Sequence, residues 1–360
     1  MNICIVAGAR PNFIKVAPIV RAIDRAREAG RDIGYTLVYA GREDDPTLEP
    51  SLFADLQIAR PGVFLGVECE NLNELTGQVM SAFEHYLQEN KTDTVIVVDD
   101  LASTMAAAIV TKKQGVTLAH LVAGTRSFDI AMPKEINRLV IDGLSDLLFT
   151  AGMSANSITN REGAEQSRVY MVGNILIDNL RFNHDRWQRP AVCDELALEQ
   201  GCYIVFTLNR KALMADEQNL RLMLREIADK AGDVPVVAPL RGRAAEMVSR
   251  LSDFSVVAPL SYLEFGWLTA HARGIITDSG NVAEEATFNG VPCITLNSYT
   301  EHIETVKAGT NVLVGEDATL LGQEVRRMVS GQWKPSAIPE RWDGRSAERI
   351  IQILIDYQRR

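Results

Sequence analysis

The sequence predicts an α/β protein of two Rossmann-like domains, with parallel sheets facing a central cleft. Three observations predict it. The chain has 360 residues, above the usual size of one domain. Short apolar segments alternate with amphipathic helical ones through both halves, as right-handed βαβ units and parallel sheets require. TVIVVDD (94–100) begins as a near-continuous apolar run, as expected of a strand covered on both faces.

The elements follow in order. ICIVAG (3–8) reads as a strand, and Pro11 then opens a helix to about Ala29. YTLVYAG (35–41) is a second strand, and residues 72–89 have helical periodicity. After the strand at 94–100, residues 103–113 read as helix and VTLAHLVAG (116–124) as strand. MVGNILIDNL (171–180) closes this half, and the polar, proline-bearing HDRWQRPAVCDE (184–195) reads as the linker. Six further strands are CYIVFTL (202–208), VPVVAPL (234–240), FSVVAPL (254–260), GIITD (274–278), VPCITL (291–296) and NVLVG (311–315), with helices between. The predicted domains are 1–183 and 195–340. A last helix over 343–360 has Ile350, Ile351, Leu354 and Ile355 on one side and could pack back on the first domain. Ligands of such folds bind at the carboxyl ends of the strands.

Composition excludes several classes. Apolar content of 46% with 23% charged residues is that of a soluble globular protein. There is no long uncharged apolar run for a membrane helix, and MNICIVAGARP lacks the basic region of a signal peptide. Five cysteines without regular spacing make no disulfide framework, so a reducing cytoplasm is expected. Cys4 and Cys293 read as buried small hydrophobes. A net charge of −10 argues against nucleic-acid binding. No metal-ligand spacing, Walker loop or GxGxxG occurs, so no metal or cofactor is expected.

Five stretches carry chemistry. In GARPNFIK (8–15), Arg10 and Lys15 bring positive charge to a sheet's carboxyl edge, for a phosphate or as solvated loop charges. In VVDDLASTMAAA (97–108), Asp100 reads as a helix cap or a site acid. Adjacent acids leaving a strand point opposite ways, so at most one of Asp99 and Asp100 faces the cleft. In HLVAGTRSFDIAMPKEINR (120–138), Glu135 and Arg138 are a surface i, i+3 pair or part of a site. In TDSGNVAEEA (277–286), the backbone of Ser279, Gly280 and Asn281 suits a diphosphate at a helix N-terminus, and Glu284 or Glu285 suits a ribose. Alternatively Ser279 caps its helix and the glutamates offset the macrodipole. In YTEHIETVKAGTNVLVG (299–315), His302 is structural or sits on a loop that closes over a ligand.

These stretches together with VGNILID and GVPC, in this order, resemble the non-hydrolysing UDP-N-acetylglucosamine 2-epimerase family over roughly residues 3–315. The resemblance implies a glycosyltransferase-B type fold, a UDP-sugar ligand and a homodimer. It implies inversion at C2 of the sugar by anti elimination and readdition of UDP, through a 2-acetamidoglucal. By position, Arg10, Lys15, Ser279, Gly280 and Glu285 match its nucleotide- and phosphate-binding residues, and Asp100 an aspartate implicated in catalysis. The chain departs from the family where protons move. Val122 replaces the glutamate of HxEAGLR, Lys134 the first glutamate of PEExNR, and Asn209 the histidine of a His-Arg pair. Arg42 and Glu43 replace GQH residues, Arg241 a histidine, Asn281 a glycine and His302 an arginine. Valine exchanges no proton and asparagine is no base near neutral pH. Three readings follow: a UDP-sugar-binding protein without ordinary epimerase activity, an active isomerase with relocated acid/base groups, or a transferase. For the second, the candidates are Asp100, Glu135, His120 and Asp129, with Lys134 a base only if burial depresses its pKa.

Overall fold

The computed structural model describes residues 1–359. The chain divides into two compact units. One is Met1–Phe182 with the C-terminal segment from Glu340, and the other is Asn183–Pro339.

The first unit holds a parallel sheet of seven strands: β1 (Asn2–Ala7), β2 (Gly34–Tyr39), β3 (Val63–Phe64), β4 (Thr94–Val98), β5 (Thr117–Leu121), β6 (Leu147–Thr150) and β7 (Val169–Met171). Their spatial order is β3-β2-β1-β4-β5-β6-β7. The order reverses between β1 and β4, which pair in parallel with Val6 opposite Val97. Every residue of β4 is buried, which accounts for its unbroken apolar run. β3, β6 and β7 were not anticipated. β3 and β7 are two and three residues long, too short to show a period.

Helix Arg10–Glu28 packs against this sheet despite Pro18 in its interior. A proline there leaves the carbonyl four residues back without its N–H partner. That carbonyl, of Ile14, accepts from the Asn179 side chain, which reaches over from helix Ile175–Asn183. The C-terminal helix runs Ser346–Gln358 and touches helix Arg10–Glu28. The Asp178 carboxylate accepts from the first N–H groups of that C-terminal helix, at Ser346 (3.1 Å) and Ala347 (2.8 Å). The end of the expected helix at Arg360 lies outside the described residues.

The second unit holds six parallel strands: β8 (Ile204–Phe206), β9 (Val236–Pro239), β10 (Ser255–Val257), β11 (Gly274–Thr277), β12 (Cys293–Thr295) and β13 (Asn311–Leu313). Each lies inside an anticipated segment, and their order is β10-β9-β8-β11-β12-β13. Here the reversal falls between β8 and β11, with Val205 opposite Ile275. Two apolar layers sandwich the sheet, one around Phe206, Leu224 and Ile276 and one around Tyr203, Val205 and Leu268. Residues 184–195, read as linker, hold a 3-10 turn at His184–Arg186 and a short helix at Val192–Glu195. Cys193 is wholly buried in the second of these layers, so this segment carries core as well as chain. No helix among the described residues is long and apolar enough to cross a membrane.

Candidate functional site

In open parallel sheets the crevice at the point of strand reversal is where ligands bind. The singled-out residues gather at two such points, one in each unit.

In the first unit, β4 ends at Val98 and the chain turns sharply, with Asp99 in the left-handed region at φ 58°. The pair Asp99-Asp100 is therefore a turn, and the strand rule of opposite faces does not govern it. Asp99 accepts from Lys15 Nζ (2.6 Å) and Asn12 Nδ2 (2.8 Å) of helix Arg10–Glu28. Asn12 Oδ1 in turn accepts from the N–H groups of Gly8 and Ala9, which ties the exits of β1 and β4 together. Lys15 is thus a buried cation with a carboxylate already against it. Arg10 is half-buried, 3.9 Å from the Glu49 carboxylate.

Asp100 does not cap the following helix, whose N-cap is Leu101. Its Oδ2 accepts from Arg138 through Nε (2.8 Å) and Nη2 (2.6 Å), and its Oδ1 lies 3.3 Å from Lys134 Nζ. Burial alone would raise this carboxyl, but Lys134 and Arg138 outweigh it and hold it below the usual range. Glu135 and Arg138 are buried, not a surface pair. Glu135 accepts from Ser127 N (2.9 Å), Ser127 Oγ (2.9 Å), Phe128 N (3.0 Å) and Arg138 Nη1 (3.1 Å). Burial pushes its carboxyl up, and those four donors bring it below the ordinary value. Helix Pro133–Leu144 thus delivers Lys134, Glu135 and Arg138 around Asp100, and Asn137 Nδ2 holds the Asp100 carbonyl at 2.8 Å.

Val122 follows β5 at φ 71°, a genuine outlier for a β-branched residue. Its neighbours hold it there. Ala123 N donates to Phe149 O (3.0 Å) and Gly124 N to the Asp142 carboxylate (3.0 Å). Phe128, at φ 61°, is a second outlier in the same loop. His120 lies between Asp142 Oδ1 (2.6 Å) and Asp99 O (3.0 Å), buried and fully engaged. Asp129 is exposed, with Oδ1 accepting from Ala131 N at 3.0 Å. Lys134 has an exposed side chain, so the burial that would make it a base is missing. Beside this edge, a cavity of about 440 Å³ is lined by Gly8, Tyr39, Arg42, Cys69 and Ser103 among others. Arg42, at a position singled out by the sequence, pairs there with Asp44 (2.6 Å) and Glu68 (2.9 Å).

In the second unit, β11 runs into Asp278-Ser279 and helix Gly280–Asn289. Ser279 occupies the N-cap, yet its side chain makes no cap hydrogen bond. Its own N–H donates to Thr277 Oγ1 (3.0 Å). The first turn also carries no acidic residue, so the glutamates do not offset the macrodipole there. Gly280 is exposed, and Ser279 and Asn281 are half-buried. Asp278 Oδ2 accepts from the N–H groups of Asn209 (2.7 Å) and Arg210 (2.6 Å), which locks the exit of β8 onto that of β11. Asn209 keeps an exposed side chain, and Arg210 reaches Asn297 Oδ1 at 2.6 Å.

Glu284 lies 3.5 Å from His302 Nε2, both buried. Glu285 is buried beside them. Burial first, and the neighbouring Glu284 charge second, push its carboxyl up to about 8. Arg241, at another departing position, is the exposed N-cap of helix Gly242–Leu251. Among the described residues no group of three or more His, Cys, Asp and Glu could hold a metal ion.

Sequence reasoning missed Asp99 and Asp278 as the carboxylates that tie the strand exits together. Their place directly after an apolar strand was the available signal. It also missed the left-handed backbone of Val122 and Phe128, for which neither residue type gave warning.

A family model described as UDP-N-acetylglucosamine 2-epimerase matches residues 25–355. The chain is 31% identical to a UDP-N-acetylglucosamine 2-epimerase of Methanocaldococcus jannaschii, over 98% of this chain and 99% of that one. It is 32% identical to the UDP-2,3-diacetamido-2,3-dideoxy-D-glucuronate 2-epimerase of Pseudomonas aeruginosa, over 91% and 92% of the two chains. The crystal structure of the M. jannaschii UDP-GlcNAc 2-epimerase in complex with UDP-GlcNAc and UDP superposes with a TM-score of 0.84 at 30% identity, covering 99% of each chain. The chain belongs to the UDP-N-acetylglucosamine 2-epimerase family, and its two Rossmann-like parallel sheets are of the glycosyltransferase-B type.

Proposed function

We propose that this protein binds a UDP-sugar and that the ordinary 2-epimerase proton transfers are disabled in it. The observation that carries the first half is the uncapped N-terminus of helix Gly280–Asn289 at a strand reversal. The free N–H groups there suit the diphosphate, with Ser279, Gly280 and Asn281 around it, and the buried Glu285 suits the ribose hydroxyls. Arg10 and Lys15 stay assigned to the phosphates by the resemblance, with the Lys15 charge already met by Asp99, and His302 is assigned to the same ligand through its contact with Glu284.

The second half rests on Asp100. In the family's reaction a base takes the C2 proton, the C1–O bond breaks, and UDP departs with the electron pair. Asp100, clamped by Arg138 and Lys134, is a weak base, and Glu135 is spent on four donors. Val122 and Asn209 supply no proton acceptor. Losing one acid or base costs about 10²–10⁴ in rate. A second reading keeps an isomerase with Asp100 and Glu135 as relocated groups. The clustering of both around Arg138 favours it over a transferase. A homodimer and a reducing cytoplasm belong to the same proposal. Of the five cysteines, all free, Cys4, Cys193 and Cys293 are buried.

The experiment is incubation with UDP-N-acetylglucosamine in D₂O, followed by proton NMR. Line broadening without loss of the C2 proton supports the proposal. C2 exchange with a UDP-N-acetylmannosamine signal selects the second reading. Absence of broadening removes the ligand.

A further inference from the structure

We infer that the edge of the first sheet is a docking site for an extended acidic segment of a partner protein, which adds beside β7 as a parallel strand. The site lies wholly within the first unit and does not depend on the UDP-sugar reading.

β7 ends the strand order, so one of its edges has no neighbouring strand. A parallel strand bonds to each neighbour through alternate residues. Val172 N donates to Thr150 O of β6 at 3.1 Å. Tyr170 therefore bonds inward as well, and Val169 and Met171 turn their backbone groups outward. Two of those four groups are taken. The Val169 N–H donates to Gln166 O, and the Met171 carbonyl accepts from Arg341 Nη1 at 2.5 Å. The Val169 carbonyl and the Met171 N–H remain. An antiparallel neighbour would need both groups of one residue. A parallel neighbour needs this pair: one incoming residue donates its N–H to Val169 O and accepts from Met171 N with its carbonyl.

The edge opens on a cavity of about 670 Å³, lined by residues 169–172 and, from the C-terminal segment, by Arg341, Arg345, Glu348 and Arg349. Three guanidiniums against one carboxylate stand out in a chain of net charge −10. Among the described residues Arg341 meets no carboxylate, and its one hydrogen bond to Met171 leaves most of its five donors unused. Arg345 holds Glu348 at 2.9 Å, but the two side chains are 66% and 52% exposed, so the pair is weak and open to exchange. Arg349 is committed to Asp343 and to Val172 O.

The cation at the edge is also held in place. Arg341 has left-handed backbone at φ 60°, and the next residue, Trp342, is buried with Nε1 donating to Ala151 O at 3.2 Å. Gly173 allows this approach, since a Cβ there would stand 2.1 Å from the Arg341 carbonyl. A fixed guanidinium loses less freedom on binding. Main-chain bonds to an edge supply affinity for any extended peptide, and side chains supply the choice among them. Here that choice falls on carboxylates, through charge-assisted bonds to Arg341 and Arg345.

The test is fluorescence anisotropy of labelled heptapeptides titrated with the full chain, one alternating glutamate and valine and one alternating glutamine and valine. The glutamate peptide should bind about tenfold more tightly. Arg341→Gln and Arg345→Gln should each remove most of that preference. Glu348→Gln, which frees Arg345, should tighten the glutamate peptide about threefold, a gain that a damaged fold would not give. Exchange of the Met171 amide should slow in the complex, because that N–H gains an acceptor. Failure of the glutamate peptide to bind, equal binding of the two peptides, or unchanged Met171 exchange overturns the inference. Displacement of the peptide by an equimolar amount of inorganic pyrophosphate would mark a small-anion site and overturn it too. Self-association of the chain that Arg345→Gln abolishes would mean that a second copy covers this edge, with the same consequence.

Discussion

Glu285 makes the stability of this protein fall as pH rises through neutrality. Its carboxyl is pushed up to about 8 from an ordinary 4.5, by burial and by Glu284. Below pH 4.5 the group is protonated in both folded and unfolded chains and costs nothing. Between the two values the unfolded chain ionises while the folded one holds its proton, so stability drops by about 1.4 kcal/mol per pH unit. Above pH 8 the folded group ionises as well and the loss is complete. At pH 7 the loss is at most about 3 kcal/mol, because water entry and rearrangement relieve part of a buried charge. Glu285→Gln removes the ionisation and keeps the shape. Urea unfolding of both proteins from pH 5 to 9 should show the variant gaining on the wild type up to about pH 8 and then running parallel to it. A difference that stays flat between pH 5 and 8 would refute the reasoning.

Three other expectations are simpler. Val122→Gly should stabilise the fold by roughly 1 kcal/mol, since it relieves about 1–3 kcal/mol of left-handed strain against about 0.5–1 kcal/mol of added chain entropy; a loss in denaturant midpoint would mean that the valine side chain outweighs the strain. Asp178→Ala should cost about 1–2 kcal/mol and raise amide exchange across Ser346–Gln358 selectively, because two N–H groups lose their acceptor; uniform exchange along the chain would count against a local role. Arg10→Ala and Ser279→Ala should each weaken UDP binding by about tenfold in calorimetry, and unchanged affinity in both would sink the phosphate assignment.

Legibility in the sequence followed the reach of each signal. The central strands were readable because burial on both faces leaves an unbroken apolar run, as in β4 and β11. β6, although fully buried, runs straight out of a helix and has only four residues, so its boundaries gave no contrast. The residue types of the site were readable too. GARPNFIK and TDSGN each follow a strand, and small residues at a strand-to-helix turn expose backbone N–H groups wherever they occur.

The sequence by itself thus determined the two α/β units, while the points of strand reversal came from the fold. Through Val122, Lys134 and Asn209, set against the family pattern it resembles, it also raised the proposal that the ordinary proton transfers are disabled. Only the tertiary structure decided what the remaining charges do. Asp99 and Lys15 are 84 residues apart in the chain and 2.6 Å apart in the fold. Arg138, which the sequence left open as half of a surface pair or part of a site, turns inward because Asp100 waits there at the end of β4. Glu285 holds its proton because helix Gly280–Asn289 buries it beside Glu284. A side chain's charge depends on what surrounds it in three dimensions, and local sequence pattern does not reach that far.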